Sequence, residues 1–357
     1  MIKPEITDKT YPLSPCTETD YEKLLSFLDI CFEKPTTHWF SSNMGHIFRP
    51  DPETISRHFI YKHKGEIKGA IGIYPFKIRI GEVLLKTAGI GSVSVHPEFR
   101  KRGLMTSMLL QVKKHLQNGS FDISCLDGDR FRYRMFGWDL GGKSCNYCLF
   151  RRDLHRLVNR NITINSQILK ENSLPVLMKA YNQFPNRAER SIENFLLHLN
   201  RDNLVWLGAE SARGFAYIVY DRVNNEEILE LQGDTETAKL LLLKHCIDNN
   251  LDDIHILHPH TDDVITTMLQ YCCTQMLILH SSQFMIIDTD STWEKLMPQL
   301  TNLYSGKMGV PSVLDTTDNF TRHLVLCKML GFPGYSSDPI LNQIPSVPWW
   351  IPNIDKV

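Results

Sequence analysis

Apolar residues along this chain follow strand spacing in some stretches and helical spacing in others. Thr19-Asp20 caps a helix that carries Leu24, Leu25, Phe27, Leu28 and Phe32 and stops at Lys34-Pro35. Arg57 to Lys64 reads as a strand turning at Lys64-Gly65-Glu66, with Ile67 to Arg79 as its partner. A second turn at Gly81-Glu82 leads into a long strand, Val83 to Val95, which Pro97 ends. Leu104, Met108, Leu109, Val112 and Leu116 then form one helical stripe, closed by Asn118-Gly119. The next strand, Phe121 to Leu126, lies parallel to the Val93 strand through that helical crossover.

Residues 151–165 read as a linker. Beyond it come helices near Ser173–Phe184 and Ile192–Asn200, and strands near Leu204–Leu207, Gly214–Tyr220 and Glu227–Leu231. A helix near Glu236–Asn249 and a strand near Ile254–Leu257 complete a second β-β-β-α-β series. The last stretch repeats neither half: Asp290–Leu303 and Asn319–Leu330 are helical in pattern, and a Pro- and Trp-rich tail follows. The pattern predicts an α+β chain divided at 1–155, 156–286 and 287–357.

Composition narrows the function classes. The 39 Lys and Arg nearly balance the 40 Asp and Glu, so no global field draws the chain to nucleic acid. No apolar run reaches the roughly 18 residues of a membrane span, and the start lacks a secretory h-region. Nine irregularly spaced cysteines suit a reducing cytoplasm better than a disulfide framework. Cys145 and Cys148 form a lone CxxC without the second pair a zinc site wants, and read as packed or idle strand cysteines. His258, His260, Asp262 and Asp263 read as a polar loop rather than a metal site.

The candidate chemistry centres on Ala88 to Leu116. A loop closing onto a helix start points backbone N–H groups outward, and the helix end adds partial positive charge, so phosphate is a natural guest. Arg100, Lys101 and Arg102 reinforce that attraction, and Gly103 has no side chain to obstruct it. The stretch VSVHPEFRKRGLM resembles the acetyl-CoA loop of the GNAT acyltransferase superfamily, R/Q-x-x-G-x-G/A after a V-x-V strand. Arg100, Gly103, Val93 and Val95 match, while Met105 departs from the usual small residue. That departure suits the enhanced-intracellular-survival branch. Tyr133-Arg-Met-Phe-Gly-Trp138 is similar to the Y-x-x-F-G-F/Y signature that closes the GNAT core.

The resemblance implies tandem GNAT folds, each a mixed, mostly antiparallel sheet flanked by helices, with a shortened sterol-carrier-like C-terminal region. It implies N-acetyltransfer from acetyl-CoA directly to an amine of a small molecule or peptide, with no metal, nucleic acid or membrane partner and with room for a homo-oligomer. Val93, Ser94 and Val95 would pair with the pantetheine amides, and Arg100, Lys101, Arg102, Gly103, Leu104, Met105 and Thr106 would cradle the diphosphate. Tyr133 would protonate the leaving sulfur. The terminal carboxylate of Val357 would be the base, with Glu98 and Asp129 as alternatives. The second series carries Asp234 and Glu236 where phosphate would sit, and reads as a degenerate copy that binds no nucleotide. Two other readings stay open: an acyl-CoA-binding protein without turnover, and an acyltransferase for longer chains.

Overall fold

A computed structural model describes residues 11–159, 161–261, 263–304 and 316–333, together with 344, 346, 349, 351 and 353–355. In chain order the elements begin with β1 (Ser14–Pro15), α1 (Tyr21–Cys31), α2 (Trp39–Asn43), α3 (Pro52–Ser56), β2 (His58–His63), β3 (Glu66–Ile80) and β4 (Val83–Val95). They continue with α4 (Leu104–Gln117), β5 (Ile123–Leu126), α5 (Arg130–Arg134), β6 (Asp139–Gly141), β7 (Ser144–Phe150), α6 (Arg151–Leu157), β8 (Asn165–Ile168) and α7 (Leu174–Asn182). Next are β9 (Asn186–Ala188), α8 (Ile192–Leu199), β10 (Leu204–Glu210), β11 (Phe215–Asp221), β12 (Glu227–Gly233), α9 (Thr235–Asp248) and β13 (Asp253–Pro259). The last are α10 (Val264–Cys272), β14 (Gln275–Leu279), β15 (Ser282–Ile286), α11 (Thr289–Tyr304) and α12 (Asn319–Met329).

Two compact units result, and neither is one continuous stretch. The first takes residues up to Gly142 and then Ser282 onward through α11 and α12; the second takes 143–281 and the tail at 348–356. In the first unit the strands lie in the order β1-β2-β3-β4-β5-β15-β6. β3 is buried on both faces from Ile67 to Tyr74, so it reads as a near-continuous apolar run. Ile71 and Ile73 face the apolar stripe of α4, with Leu104, Met108, Leu109 and Val112. Ala70 and Tyr74 face Leu24, Leu25, Phe27 and Leu28 of α1. The only parallel pair in the unit's sheet among the described residues is β4 with β5, Thr87 opposite Ile123 through Gly89 opposite Cys125, joined by α4 as crossover. α11 is fastened here by Asp122, whose carboxylate accepts from Lys295 (2.6 and 2.7 Å), Ser291 (2.6 Å) and the Lys86 amide (2.6 Å).

The second unit orders its strands β14-β7-β13-β12-β11-β10-β8. Here too one parallel pair, β12 with β13, is bridged by a crossover helix, α9. Each parallel pair is then extended by a strand from the other part of the chain: β7 pairs with β13 and β14, and β15 pairs with β5 and β6. Strand pattern alone cuts the chain near 155 and 286. The exchange of β7 and β15 moves the physical divisions, because backbone pairing outweighs sequence adjacency. Residues 151–157 are helix α6 rather than linker, since Leu154 is fully buried in the second core. The strand ending at Pro259 runs through His258, and Asp263 caps α10, accepting from the Thr266 amide at 2.8 Å. Asp262 lies outside the described residues.

The tail closes the second unit's core. Ile354 packs with Trp206, Tyr217 and Phe195. Asp355 accepts from Arg190 Nε (2.9 Å) and Nη2 (2.7 Å) and lies 3.0 Å from His198 Nε2. The same guanidinium donates to both oxygens of Glu230 (3.0 and 2.5 Å), which also accepts from Tyr217 (2.7 Å). Arg190 sits over the Tyr181 ring, 4.1 Å from its centroid. A buried charge set of this kind is costly to break from one side, because the partner is left unpaired. Glu230→Ala is expected to lower stability by about 3–5 kcal/mol, read as the urea midpoint; a change under about 1 kcal/mol would mean that Asp355 alone neutralises Arg190.

Candidate active site

The centre of the site is a fault in β4. Ala70 is paired with Ser94 and Gly72 with Gly91, so Ser92 and Val93 stand opposite Ile71 alone. This two-against-one bulge bends the strand. Ser92 takes a left-handed φ of 55°, which costs about 1–2 kcal/mol for a residue with a side chain. Side chains offset that cost. His58 Nε2 donates to the Ile47 carbonyl (3.2 Å), which leaves Nδ1 to accept from the Tyr74 hydroxyl (3.2 Å). Tyr74 oxygen in turn accepts from Ser92 (2.8 Å). The Tyr74 ring lies across the place a side chain at position 72 would need, so Gly72 is a space requirement.

The fault has a consequence on the opposite edge. Parallel pairing of β4 with β5 stops at Gly89. From there to Val95 the described strands offer β4 no partner on that side, and an extended chain bearing amides is the natural complement. β4 then delivers the chain into the basic turn. Arg100 Nε donates to the Val95 carbonyl (3.3 Å), which fixes the start of the turn. Lys101 (φ 62°) and Gly103 (φ 79°) are both left-handed, and Gly103 caps α4 without a side-chain hydrogen bond. The first amides of α4 thus keep their donors for a guest, beside partial positive charge.

All of this borders one cavity of about 560 Å³. Val93, Ser94 and Val95 line it from the strand; Arg100, Lys101, Gly103, Leu104, Met105 and Thr106 line it from the turn and helix. Arg102 does not: its guanidinium stacks on Phe99, 4.8 Å from the ring centroid, and its carbonyl accepts from Tyr11 (2.9 Å). Four further lining residues were not visible to pattern reading, Phe99 among them. Cys31 and Phe32 arrive from the end of α1, and Arg132 from α5. Burial pushes the Cys31 thiol up to about 11 although Arg100 opposes it, so the sulfur is a neutral wall group. Among the described residues no carboxylate lines the cavity, and the charged lining groups are Arg100, Lys101 and Arg132.

Tyr133 stands behind this wall. It is buried in the apolar cluster of Leu104, Met108 and Phe136, and its ring occupies the space beside Gly128, where a Cβ would come within 2.7 Å of Cε2. Burial raises the phenol pKa; Arg132 opposes that and Asp129 adds to it. Asp129 caps α5, accepting from the Phe131 amide at 2.9 Å. Glu98 is exposed, 3.7 Å from His96 and 3.9 Å from Lys68. Val357 lies outside the described residues.

The second unit's counterpart is closed. Its crossover helix α9 begins at Asp234, whose carboxylate accepts from the Thr237 amide (2.9 Å) and hydroxyl (2.8 Å). The amides that stay open at α4 are partly filled here by a negative charge.

Residues 13–141 match the family model described as Acetyltransferase (GNAT) domain. No curated protein matches. Among solved structures, a GCN5-related N-acetyltransferase from Kribbella flavida aligns at 17% identity and TM-score 0.60, over 76% of this chain and 70% of that one. One from Anabaena variabilis aligns at 16% identity and TM-score 0.62, over 80% and 74%. Eis1 from Mycobacterium abscessus aligns at 14% identity and TM-score 0.57, over 79% and 75%. The fold is therefore GNAT-like and tandem in layout, with mixed sheets flanked by helices, and the family match in the first unit supports acyl transfer. No helix among the described residues is long and apolar enough to cross a membrane. None of the nine cysteines, all described, is in a disulfide.

Two predictions follow from the geometry. Gly103→Asp would place on α4 the kind of carboxylate cap that α9 carries, and is expected to weaken coenzyme A binding at least about tenfold; calorimetry showing unchanged affinity would refute the role of this helix end. Burial lowers the His58 pKa from 6.5 to about 4. A depressed histidine favours folding above its unfolded pKa, and that advantage is lost as pH falls from about 6.5 to about 4. His58→Gln should lose about 2 kcal/mol less stability than the parent between pH 7 and pH 4.5, compared by urea unfolding; equal losses would assign the acid sensitivity elsewhere.

Proposed function

We propose that this chain is a cytoplasmic, acetyl-CoA-dependent N-acetyltransferase that transfers the acetyl group directly to an amine of a small molecule or peptide. The observation that carries the reading is the meeting, on one cavity, of an uncapped helix end with left-handed Lys101 and Gly103 and a strand edge without a ladder partner. A diphosphate suits the first and a pantetheine arm the second.

In this reading the amides from Lys101 to Thr106, with the Arg100 and Lys101 charges, hold the diphosphate. Val93, Ser94 and Val95 pair with the arm, and one of their N–H groups faces the thioester oxygen as negative charge develops there. The amine nitrogen bonds to the carbonyl carbon while the carbon–sulfur bond breaks. The sulfur takes the phenol proton of Tyr133, and a carboxylate takes the proton that the amine gives up. Burial keeps the Tyr133 phenol protonated at neutral pH, as an acid requires. Among the described residues no carboxylate lines the cavity, and the Val357 terminus is our first assignment for the base. Glu98 is occupied by His96 and Lys68, and Asp129 by its cap. Tyr133 itself stands behind the wall, which favours a second reading: a protein that binds acyl-CoA without turnover.

Thiol release from acetyl-, succinyl- and myristoyl-CoA over an amine library separates these readings and the longer-chain one. Tyr133→Phe is expected to lower kcat by about 100-fold with little change in acetyl-CoA affinity; an unchanged kcat removes Tyr133 from the mechanism. Truncation must begin after Asp355, because that residue is buried against Arg190. Removal of Lys356 and Val357 should impair turnover while the fold persists.

A further inference from the structure

The second unit carries a cluster that the acetyl-transfer reading does not use. β7 places Cys145, Tyr147 and Leu149 in the core, so Cys148 faces the other side of the sheet. Directly opposite Cys148 on β13 is His255, and two residues before it, on the same face, is Asp253. Asp253 Oδ2 is 3.9 Å from Cys148 Sγ and 3.3 Å from His255 Nε2. One ligand atom from each residue lies within 4.8 Å of the other two. We propose that Cys148, Asp253 and His255 form a three-ligand site for a borderline divalent metal ion, zinc foremost, that clips β7 to β13.

The chemistry of the donors supports zinc over calcium or magnesium. One sulfur, one imidazole nitrogen and one carboxylate oxygen make a mixed soft and borderline set, whereas hard ions want oxygen alone. Metal–ligand distances of about 2.0–2.3 Å put the donors of a tetrahedral site roughly 3.3–3.8 Å apart. The observed separations need small side-chain adjustments to reach that. Among the described residues no lysine or arginine forms an ion pair with Asp253, whose partners are His255 and Cys148. Cys148 is mostly buried while Asp253 and His255 are about 40% and 38% exposed at the side chain, so the site has a protected sulfur and an entry side. A water would complete a four-coordinate site.

Without metal the thiol stays protonated, held up by burial first and then by the Asp253 carboxylate. On binding, a sulfur–metal bond forms and the thiol proton leaves to solvent, so affinity rises with pH. The location gives the ion a purpose: β7 is the exchanged strand, set between β13 and β14, and a cross-strand clip would secure it.

Full-length protein, freed of metal with a chelator, is titrated with Co²⁺ as the spectroscopic probe. One equivalent per chain should produce a thiolate-to-cobalt charge-transfer band, and Zn²⁺ should displace it. Cys148→Ser should abolish the band, His255→Gln should weaken binding at least about tenfold, and Cys273→Ser should leave it intact. Saturating Zn²⁺ should raise Tm by roughly 2–4 °C in the parent but not in Cys148→Ser. No band with Co²⁺ in excess, or an equal band in Cys148→Ser, overturns the proposal. These readouts are independent of acetyl transfer, so they stand whether or not that activity is found.

Discussion

The parting of β4 from β5 after Gly89 is the constraint on which the site depends. A parallel pair inside a sheet ordinarily continues until both strands end, because buried backbone groups need partners. Here the bulge at Ser92 turns β4 away, and the unmatched edge becomes useful rather than costly once a strand-like ligand can occupy it. Ser92 could not keep its left-handed backbone for nothing. The hydrogen-bonded series from Ser92 through Tyr74 to His58 holds it from inside the core, and Gly72 leaves room for the ring that makes the connection.

The two units show that topology alone does not make such a site. Both contain a β-α-β crossover in a mixed sheet. At α9, Asp234 gives the helix a side-chain cap, a stabilisation of about 1 kcal/mol. At α4, Gly103 forgoes that, and Lys101 adds a second left-handed residue beside it. A helix start that gives up its cap and accepts strained backbone is one whose donors serve something else. The surrounding charge has changed in step: Arg100 and Lys101 at α4, Asp234 and Glu236 at α9.

What could be seen in the sequence was local. β3, β4, α4 and α9 follow from apolar period and turn residues, and the basic turn stood out because cations and glycine fall together between a strand and a stripe. The exchange of β7 and β15 was not visible, since a short apolar strand carries no label for its partner. The same limit hid Tyr74 with His58, and Arg190 with Asp355, pairs 16 and 165 residues apart along the chain. Cys31 and Arg132 were passed over because each reads as an ordinary helix-end residue until the fold brings it to the cavity. Arg102 was grouped with its basic neighbours, yet alternation in a tight turn sends its side chain to Phe99 instead.

The charge of the cavity wall bears on the proton balance of the proposed reaction. Three cations and no carboxylate among the described wall residues would suit a diphosphate and help to withdraw charge from a thioester, but they cannot accept a proton from an ammonium. Arg132 has a further effect: it counteracts burial at Tyr133 and so makes the phenol a better acid than an isolated buried one. In the proposed reaction Tyr133 would supply the acid, and the described wall residues include no group to serve as the base.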